Sequence, residues 1–456
     1  MDNIELNTIE KSRHYFEKIT AQNVHNILSK YMLADGFNLV LDLENSTGSR
    51  IIDLKSGKEF IDFFTFFASS ALGMNHPKIL AEEVKDEIIT AALNKPSNSD
   101  IYTIQMAEFV DTFSKIAKPD FMKYLFFISG GTLAVENGLK VAFDWKVQKN
   151  FKKGYKEEKG KQIIHFKEAF HGRSGYTLSL TNTEANKIKY FPKFDWPRII
   201  NPKIKFPLEE NLNQIINLEE QAVNEIYAAI KNNKDDIAAI IIEPIQAEGG
   251  DNFFRKEFFI KLREIADEND ILLMFDEVQT GFGITGKFWA SEYYVKPDII
   301  SFGKKAQVCG IMVSGRIDEI EENCFHKSSR INSTWGADLT DMVRSKHIMR
   351  IIDEENLVDN AYINGKFLLA QLLSIQNEFS NIVSNARGLG LMCSFDLPST
   401  EERNKFRNLC FNEGLLILGC GQKSIRFRPA LNIPKEDLLD GLNIIKKVLF
   451  LMSSKN

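Results

Sequence analysis

The middle of the chain alternates short apolar segments with longer amphipathic ones. The apolar segments are four to six residues long, which is typical of buried strands. Segments such as "LAVENGLKVAFDWKVQ" and "RKEFFIKLREIADEND" repeat their apolar residues at helical spacing and predict helices between the strands. The pattern predicts an α/β fold with a largely parallel sheet. The predicted strands are "KYLFFI" (123–128), "QIIHF" (162–166), "IAAIII" (237–242), "ILLMF" (271–275) and "DIISF" (298–302).

Polar residues and glycines follow each predicted strand directly. In open parallel sheets, ligands bind beyond the carboxyl ends of the strands, so we expect these segments to meet in one crevice. They are "SGGT" (129–132), "KEAFHGRSGY" (167–176), "EPIQAEGG" (243–250), "DEVQTGFG" (276–283) and "GKKAQVCG" (303–310).

The composition of the chain excludes several classes of function. The chain has 456 residues, 44% of them hydrophobic, and a net charge of -5, so it lacks the basic excess of a nucleic-acid-binding protein. The longest apolar stretch, "FIDFFTFFASSALGM", is too short to span a membrane. The five cysteines have no CxxC spacing, which argues against disulfides and against a metal site. The start, "MDNIELNTIEKSRHYF", does not resemble a signal peptide, and we expect a cytoplasmic protein.

Three of the strand-end segments carry candidate chemistry. The "SGGT" turn before a helix suits an anion, although taken alone it is better explained as a plain glycine turn. Asp276 ends a buried strand, where it is either a structural ion pair or helix cap, or a partner for a protonated heterocyclic nitrogen. A lysine at the end of the next strand, Lys305, could form a Schiff base. A phosphate cradle, a pyridinium partner and a reactive lysine together predict pyridoxal phosphate chemistry.

The full set of motifs resembles the class III aminotransferases of pyridoxal phosphate fold type I. "GKKAQVCG" and "RINSTWG" resemble the lysine ε-aminotransferase branch of that class. The resemblance implies a large domain with a mostly parallel sheet and a smaller α+β domain. It also implies an N-terminal segment (1–73) that contributes to the small domain, a cofactor domain (74–338) and a C-terminal small domain (339–456). The motifs are "SGGTLAVENGLKVAFDWK", "FHGRSGYTLSLTNT", "EPIQAEGGD", "MFDEVQTGFGITGKFWA", "FGKKAQVCG" and "SSRINSTWGADLTDMVR".

The resemblance also assigns cofactor-binding roles. A glycine five residues after the reactive lysine selects Lys305 over Lys304, because Gly310 lies at that spacing. Lys304 would then be a neighbour whose charge lowers the pKa of Lys305. The resemblance implies that Gly131 and Thr132 bind the phosphate and that Phe170 stacks on the ring. It implies that Asp276 pairs with the pyridine nitrogen and that Gln279 lies near the phenolic oxygen. It also implies a homodimer with a shared active site, in which Thr334 reaches the phosphate of the neighbouring subunit.

Substrate recognition by an ω-aminotransferase requires two carboxylate positions. A diamino acid keeps its α-carboxylate far from the reacting amine, whereas glutamate brings one close. The resemblance assigns the distal carboxylate of lysine to Arg173 and the proximal carboxylate of glutamate or 2-oxoglutarate to Arg426. Glu248 would neutralise Arg426 while lysine is bound. Two alternatives remain. Arg428 is the residue that binds the proximal carboxylate, or Glu248 is an ordinary loop carboxylate.

The implied reaction moves the ε-amino group of L-lysine to 2-oxoglutarate. It gives L-glutamate and 2-aminoadipate 6-semialdehyde, which cyclises, with Lys305 as the base and acid. Another ω-aminotransferase, acting on ornithine, 4-aminobutyrate or a diamine, is the nearest alternative. An aminomutase on the same fold and a non-catalytic binding protein are the others.

Overall fold

The computed structural model describes residues 18–454. The strands are β1 (Arg50–Ile52), β2 (Glu59–Asp62), β3 (Met122–Ile128), β4 (Gln162–Phe166), β5 (Arg198–Ile199), β6 (Ile237–Ile242), β7 (Leu272–Asp276), β8 (Ile299–Phe302), β9 (Cys309–Ser314), β10 (Ser384–Leu389), β11 (Met392–Asp396), β12 (Leu415–Leu416), β13 (Leu418–Cys420) and β14 (Ser424–Phe427). The α-helices are Val24–Ser29, Glu82–Leu93, Ile104–Ile116, Gly131–Lys152, Gly175–Leu180, Leu208–Asn232, Lys256–Glu268, Leu339–Glu354, Leu357–Glu378, Thr400–Glu413 and Lys435–Ser453.

A seven-stranded sheet forms the centre of the molecule. Its strand order is β3-β9-β8-β7-β6-β4-β5. Strand β9 runs antiparallel to both of its neighbours, and the pairs from β8 through β7, β6 and β4 to β5 are parallel. The expected α/β fold with a mostly parallel sheet is therefore confirmed.

Strand β6 shows why the predicted strands are apolar throughout. All six of its residues are buried, because helices cover both faces of the sheet. Alternate side chains point to opposite faces: Ala239 and Ile241 pack with residues of the helix Gly131–Lys152. Ile240 and Ile242 pack with residues of the helix Lys256–Glu268 on the other face.

Two smaller sheets stand beside the central one. The antiparallel sheet has the order β10-β11-β14-β13, and a three-stranded sheet has the order β1-β2-β12. In the latter, the N-terminal strand β2 pairs in parallel with the C-terminal strand β12. This pairing agrees with an N-terminal segment that belongs with the C-terminal part, while the boundaries at 73/74 and 338/339 stay predictions. Residues 1–17, including the stretch considered for a leader, lie outside the described residues.

The segment Thr65–Ala68 is a left-handed turn. Its four φ angles are 41°, 52°, 60° and 65°, although none of the four residues is glycine. Such a conformation costs roughly 1–2 kcal/mol per residue, so the surroundings must hold it. The buried carboxylate of Asp62 accepts hydrogen bonds from the backbone N–H groups of Phe64 and Thr65, both at 2.8 Å. The Thr65 hydroxyl donates to the carbonyl of Arg428 at 2.6 Å.

Each helix within residues 18–454 is too short or too polar to cross a lipid bilayer.

Candidate active site

A cavity of about 300 Å³ opens at the carboxyl edge of the central sheet. It lies where the sequence places the strand-end segments, and five segments contribute to its wall. The lining residues are Gly131, Thr132, Val135, Phe170, His171, Gly172, Glu243, Ile245, Glu248, Asp276, Val278, Gln279, Thr280, Lys304 and Cys309.

One end of the cavity is the amino end of the helix Gly131–Lys152. Its first turn contains no acidic residue, so its free N–H groups and its dipole favour an anion. Gly131 packs against Val278, and a Cβ on Gly131 would lie 3.0 Å from the Val278 side chain. A Cβ on Gly172 would collide with the Thr132 side chain. Glycine at both positions therefore keeps this end of the cavity open.

Asp276 presents a buried carboxylate to the middle of the cavity. It is the last residue of β7 and is 5% exposed. Its Oδ2 lies 2.8 Å from Nδ1 of His171, and its Oδ1 accepts from the Val278 N–H at 3.1 Å. These contacts orient the carboxylate. No periodicity in the sequence marks His171, although it directly follows Phe170 in "AFHGR".

The structure places Lys304 at the cavity, although Lys305 is the lysine that the sequence predicts to be reactive. Lys304 lines the cavity, whereas Lys305 does not. Lys304 has a φ of 53°, and this single left-handed residue sends neighbouring side chains to different sides. Burial lowers the pKa of Lys304 below its ordinary value, although the negative charge of Asp276 opposes the shift. The spacing to Gly310 therefore does not select the lysine that lines the cavity.

Lys305 belongs to a different environment. Its side chain is buried, and its amine donates a hydrogen bond to the carbonyl of Ala68 at 2.8 Å. Gln307 donates in the same way to the carbonyl of Ser69 at 2.8 Å. Burial and the nearby charge of Arg428 lower the pKa of Lys305 well below its ordinary value. Lys305 thus anchors the left-handed turn Thr65–Ala68 instead of facing the cavity.

Glu243 lines the cavity and holds two backbone segments of its wall in place. Its carboxyl group accepts the backbone N–H of Phe170 at 2.9 Å and that of Ala247 at 3.2 Å. Burial, together with the negative charge of Asp276, raises the pKa of Glu243 well above its usual range. These contacts place Phe170 at the cavity.

Glu248 and Arg426 form an ion pair at the cavity wall. Nη1 of Arg426 lies 2.8 Å from Oε2 of Glu248, and the arginine side chain is almost fully buried. Burial by itself would raise the pKa of Glu248, but the charges of Arg426 and Lys187 outweigh it and lower the pKa to about 2. The pair therefore stays ionised over the whole neutral range.

Arg428 is paired with other residues of the chain. Its guanidinium forms a fully buried ion pair with Asp251, and its Nε donates to Oε1 of Gln279 at 2.9 Å. The alternative in which Arg428 is the substrate clamp would require breaking that buried pair, which is costly. Arg428 instead holds Gln279 at the cavity wall.

Four predicted site residues are not among the residues that line the cavity: Lys305 and Arg426, which are buried, and Arg173 and Thr334. Arg173 is exposed on the loop that follows β4, one residue beyond Gly172. Thr334 is also exposed, and its carbonyl accepts from the hydroxyl of Ser97 at 2.6 Å. A single chain therefore does not bring either side chain into the cavity, and the roles assigned to them stay predictions.

The Aminotransferase class-III family matches residues 31–449 of the chain. The chain is 46% identical over 432 residues to the L-lysine-epsilon aminotransferase of Mycobacterium tuberculosis, covering 94% of this chain and 96% of that protein. It is 32% identical to the human mitochondrial 4-aminobutyrate aminotransferase, covering 91% of this chain and 86% of that protein. With this match and these relatives, the chain belongs to the class III aminotransferases.

A solved structure supports the same assignment. The lysine aminotransferase from M. tuberculosis in the internal aldimine form superposes with a TM-score of 0.93 at 46% identity. The superposition covers 95% of this chain and all of that one. The expected fold, with a mostly parallel central sheet and a separate antiparallel sheet, is thereby confirmed.

Pyridoxal phosphate is the cofactor of this family, and the cavity offers a matching set of groups. The helix amino end at Gly131 and Thr132 suits a phosphate. The buried carboxylate of Asp276 suits a protonated ring nitrogen, and the Lys304 amine suits an aldehyde. These three groups lie in one cavity, so the residues present fit the cofactor.

Proposed function

We propose that this aminotransferase moves the ε-amino group of L-lysine to 2-oxoglutarate, giving L-glutamate and 2-aminoadipate 6-semialdehyde, which cyclises. The observation that carries the proposal is the buried guanidinium of Arg426, neutralised by Glu248 at the cavity wall. An enzyme that accepts a long diamino acid and a dicarboxylate in one cavity needs such a cation that can be covered and uncovered. The 46% identical relative from M. tuberculosis supports the same donor.

The cofactor would be held at four of its parts. Gly131 and Thr132 would bind its phosphate, Asp276 would bind its ring nitrogen, and Gln279 would serve the phenolic oxygen. Phe170, fixed by the Glu243 carboxyl, packs on the ring. When bound, the cofactor supplies an electron sink for the pair of electrons left when a proton is removed from the substrate carbon.

Lys304 is the residue we assign to proton transfer. Its lowered pKa makes a neutral amine available nearer neutral pH than for an ordinary lysine. Nζ of Lys304 would hold the cofactor at its aldehyde group, and as a free amine it would take the proton from the ε-carbon of lysine. Asp276, oriented by His171, stays in place to hold the proton on the ring nitrogen.

The substrate carboxylates would be bound at two depths. Arg173 binds the α-carboxylate of lysine, far from the reacting amine, while Glu248 covers Arg426. The dicarboxylate then takes Glu248's place on Arg426, because a guanidinium binds a carboxylate through two parallel hydrogen bonds.

We also propose a homodimer in which Thr334 serves the phosphate site of the second copy. Support comes from apolar side chains around Thr334 that a single chain leaves exposed: Ile101 at 66%, Tyr102 at 75%, Ile104 at 74% and Trp335 at 42%. The Asn98 N–H donates to the Trp335 carbonyl at 3.3 Å, so the two segments form one surface. Burial against a second copy would remove this patch from water.

Hybrid dimers test the shared site. Subunits with Lys304→Ala are mixed with subunits with Thr334→Ala, and the mixture is expected to be more active than either variant alone. In the hybrid, one of the two sites has both an intact Lys304 and an intact Thr334. A mixture no more active than the average of its parts would contradict the shared site.

The donor is tested by incubating the protein with 2-oxoglutarate and L-lysine, L-ornithine or 4-aminobutyrate, and following glutamate and the cyclised semialdehyde. We expect the highest kcat/KM with L-lysine and product from its ε-amine. A preference for 4-aminobutyrate, the substrate named for the human relative, would overturn the donor and leave the class unchanged.

We further expect a reducing compartment such as the cytoplasm, since all five cysteines are free thiols.

A further inference from the structure

A second cation contacts Glu248. Lys187 ends the short helical turn Ala185–Lys187, and its Nζ lies 2.7 Å from Oε1 of Glu248. The other carboxylate oxygen, Oε2, pairs with Arg426 at 2.8 Å. Glu248 therefore bridges two positive groups, one from the turn Ala185–Lys187 before β5 and one from β14.

The surroundings of Lys187 make this contact more than a surface ion pair. The Lys187 side chain is only 16% exposed, and its Nζ lies 5.6 Å from the centre of the Phe170 ring at the cavity. Its other partner is Glu184, at 3.1 Å, whose side chain is 56% exposed and therefore weakly held. The contact with Glu248 is the better shielded of the two.

Breaking the ion pair between Arg426 and Glu248 costs free energy, and Lys187 reduces that cost. If a dicarboxylate takes Arg426, Glu248 loses one partner while its side chain stays three-quarters buried, at 23% exposure. A partly buried carboxylate without a cation is unfavourable. Because Lys187 already holds Oε1, Glu248 can leave Arg426 and keep a charged partner.

We infer that Lys187 is a specificity-determining residue: it holds Glu248 when Arg426 is released, and so favours binding of the dicarboxylate substrate over binding of L-lysine. The inference rests on the proposed function, in which Arg426 binds 2-oxoglutarate. It predicts that Lys187 acts through Glu248 and not by touching the substrate.

The test measures binding of glutarate, a dicarboxylate that cannot react, to the cofactor-loaded protein. Lys187→Met is expected to weaken glutarate binding about tenfold, because Glu248 must then separate from Arg426 without Lys187 to hold it. The Michaelis constant for the oxo-acid substrate should rise with it, while the constant for L-lysine changes less than about twofold. Lys187→Arg keeps the charge and is expected to restore glutarate binding. An unchanged affinity in Lys187→Met would overturn the inference.

A second comparison separates an indirect effect from direct attraction of the anion. In a Glu248→Gln background, Lys187→Met should leave glutarate binding unchanged, since the residue through which Lys187 acts is gone. The same tenfold loss in that background would show that Lys187 attracts the ligand itself and would overturn the inference.

The proposed function is judged on the unmodified protein. Its failure would appear as no glutamate from L-lysine and 2-oxoglutarate, whatever the Lys187 variants do. Thermal unfolding of each variant confirms that the comparisons are made between folded proteins.

Discussion

Lys304 and Lys305 are adjacent in the chain and lie in two different regions of the molecule. Lys304 faces the cavity at the carboxyl edge of the central sheet. Lys305 points away from it and donates to the Ala68 carbonyl in the left-handed turn Thr65–Ala68. Both lysines follow the same strand, and burial lowers the pKa of both. A lowered pKa therefore does not distinguish a reactive lysine from a structural one.

The difference between the two regions lies in what surrounds the amine. Around Lys304 there is open volume with carboxylates and an anion-binding helix end on its walls. Around Lys305 the volume is filled, and the amine has a fixed backbone partner whose conformation is strained. A reactive group needs space for its partner, whereas an anchoring group needs a filled site.

The largest expected effect separates the two lysines chemically. Lys304→Ala should lower transamination by at least about 1,000-fold, because it removes the proton-transfer group and the covalent attachment together. Lys305→Met should keep the visible absorbance of the lysine-bound cofactor. Borohydride reduction followed by peptide mass spectrometry should place the pyridoxyl group on Lys304. Its recovery on Lys305 would reverse the assignment.

The next effect is a pH dependence of the free energy of unfolding that Lys305→Met should reduce. In the unfolded chain this lysine is protonated below its ordinary pKa of 10.5, whereas the folded protein holds it neutral once the pH exceeds its lowered pKa. The unfolded state then binds one more proton, so stability rises with pH. Compared with Lys305→Met, the free energy of unfolding should rise from pH 7 to 9 by up to about 1.4 kcal/mol per pH unit.

Urea unfolding of the cofactor-free proteins at several pH values measures this slope. Lys304 is present in both proteins, so its own titration cancels from the difference. Parallel stability curves for the original protein and Lys305→Met would show that Lys305 is charged in the folded state.

The smallest effects are expected from replacing two threonines, Thr65 in the left-handed turn and Thr132 at the cavity. Thr65→Val removes the hydrogen bond to the Arg428 carbonyl and should lower the free energy of unfolding by about 1–2 kcal/mol, with unchanged cofactor affinity. Thr132→Val lies at the helix end in the cavity and should weaken cofactor binding roughly tenfold with little change in stability. Equal effects of both changes on both measurements would mean that the two regions are not separate.

Strand β6 and the segments after the strands could be predicted from the sequence. A run such as "IAAIII" is compatible only with burial on both faces, and the polar segments that follow parallel strands must share one edge. That reasoning places Gly131, Thr132, Phe170, Asp276, Gln279 and Glu248 in one cavity, as the structure shows. Lys187 and His171 were missed because each is a single polar residue in a loop, with no periodicity to mark it.

The sequence by itself determined the fold class, the family and the edge of the sheet where the chemistry lies, because these follow from periodic burial and from motifs that are local in the chain. Tertiary structure decided which lysine enters the cavity, which arginine pairs with Glu248, and that Lys187 shares the same carboxylate. The direction of a side chain after a strand depends on one or two backbone angles, such as the φ of 53° at Lys304. Those angles are set by packing against distant segments, including the turn Thr65–Ala68.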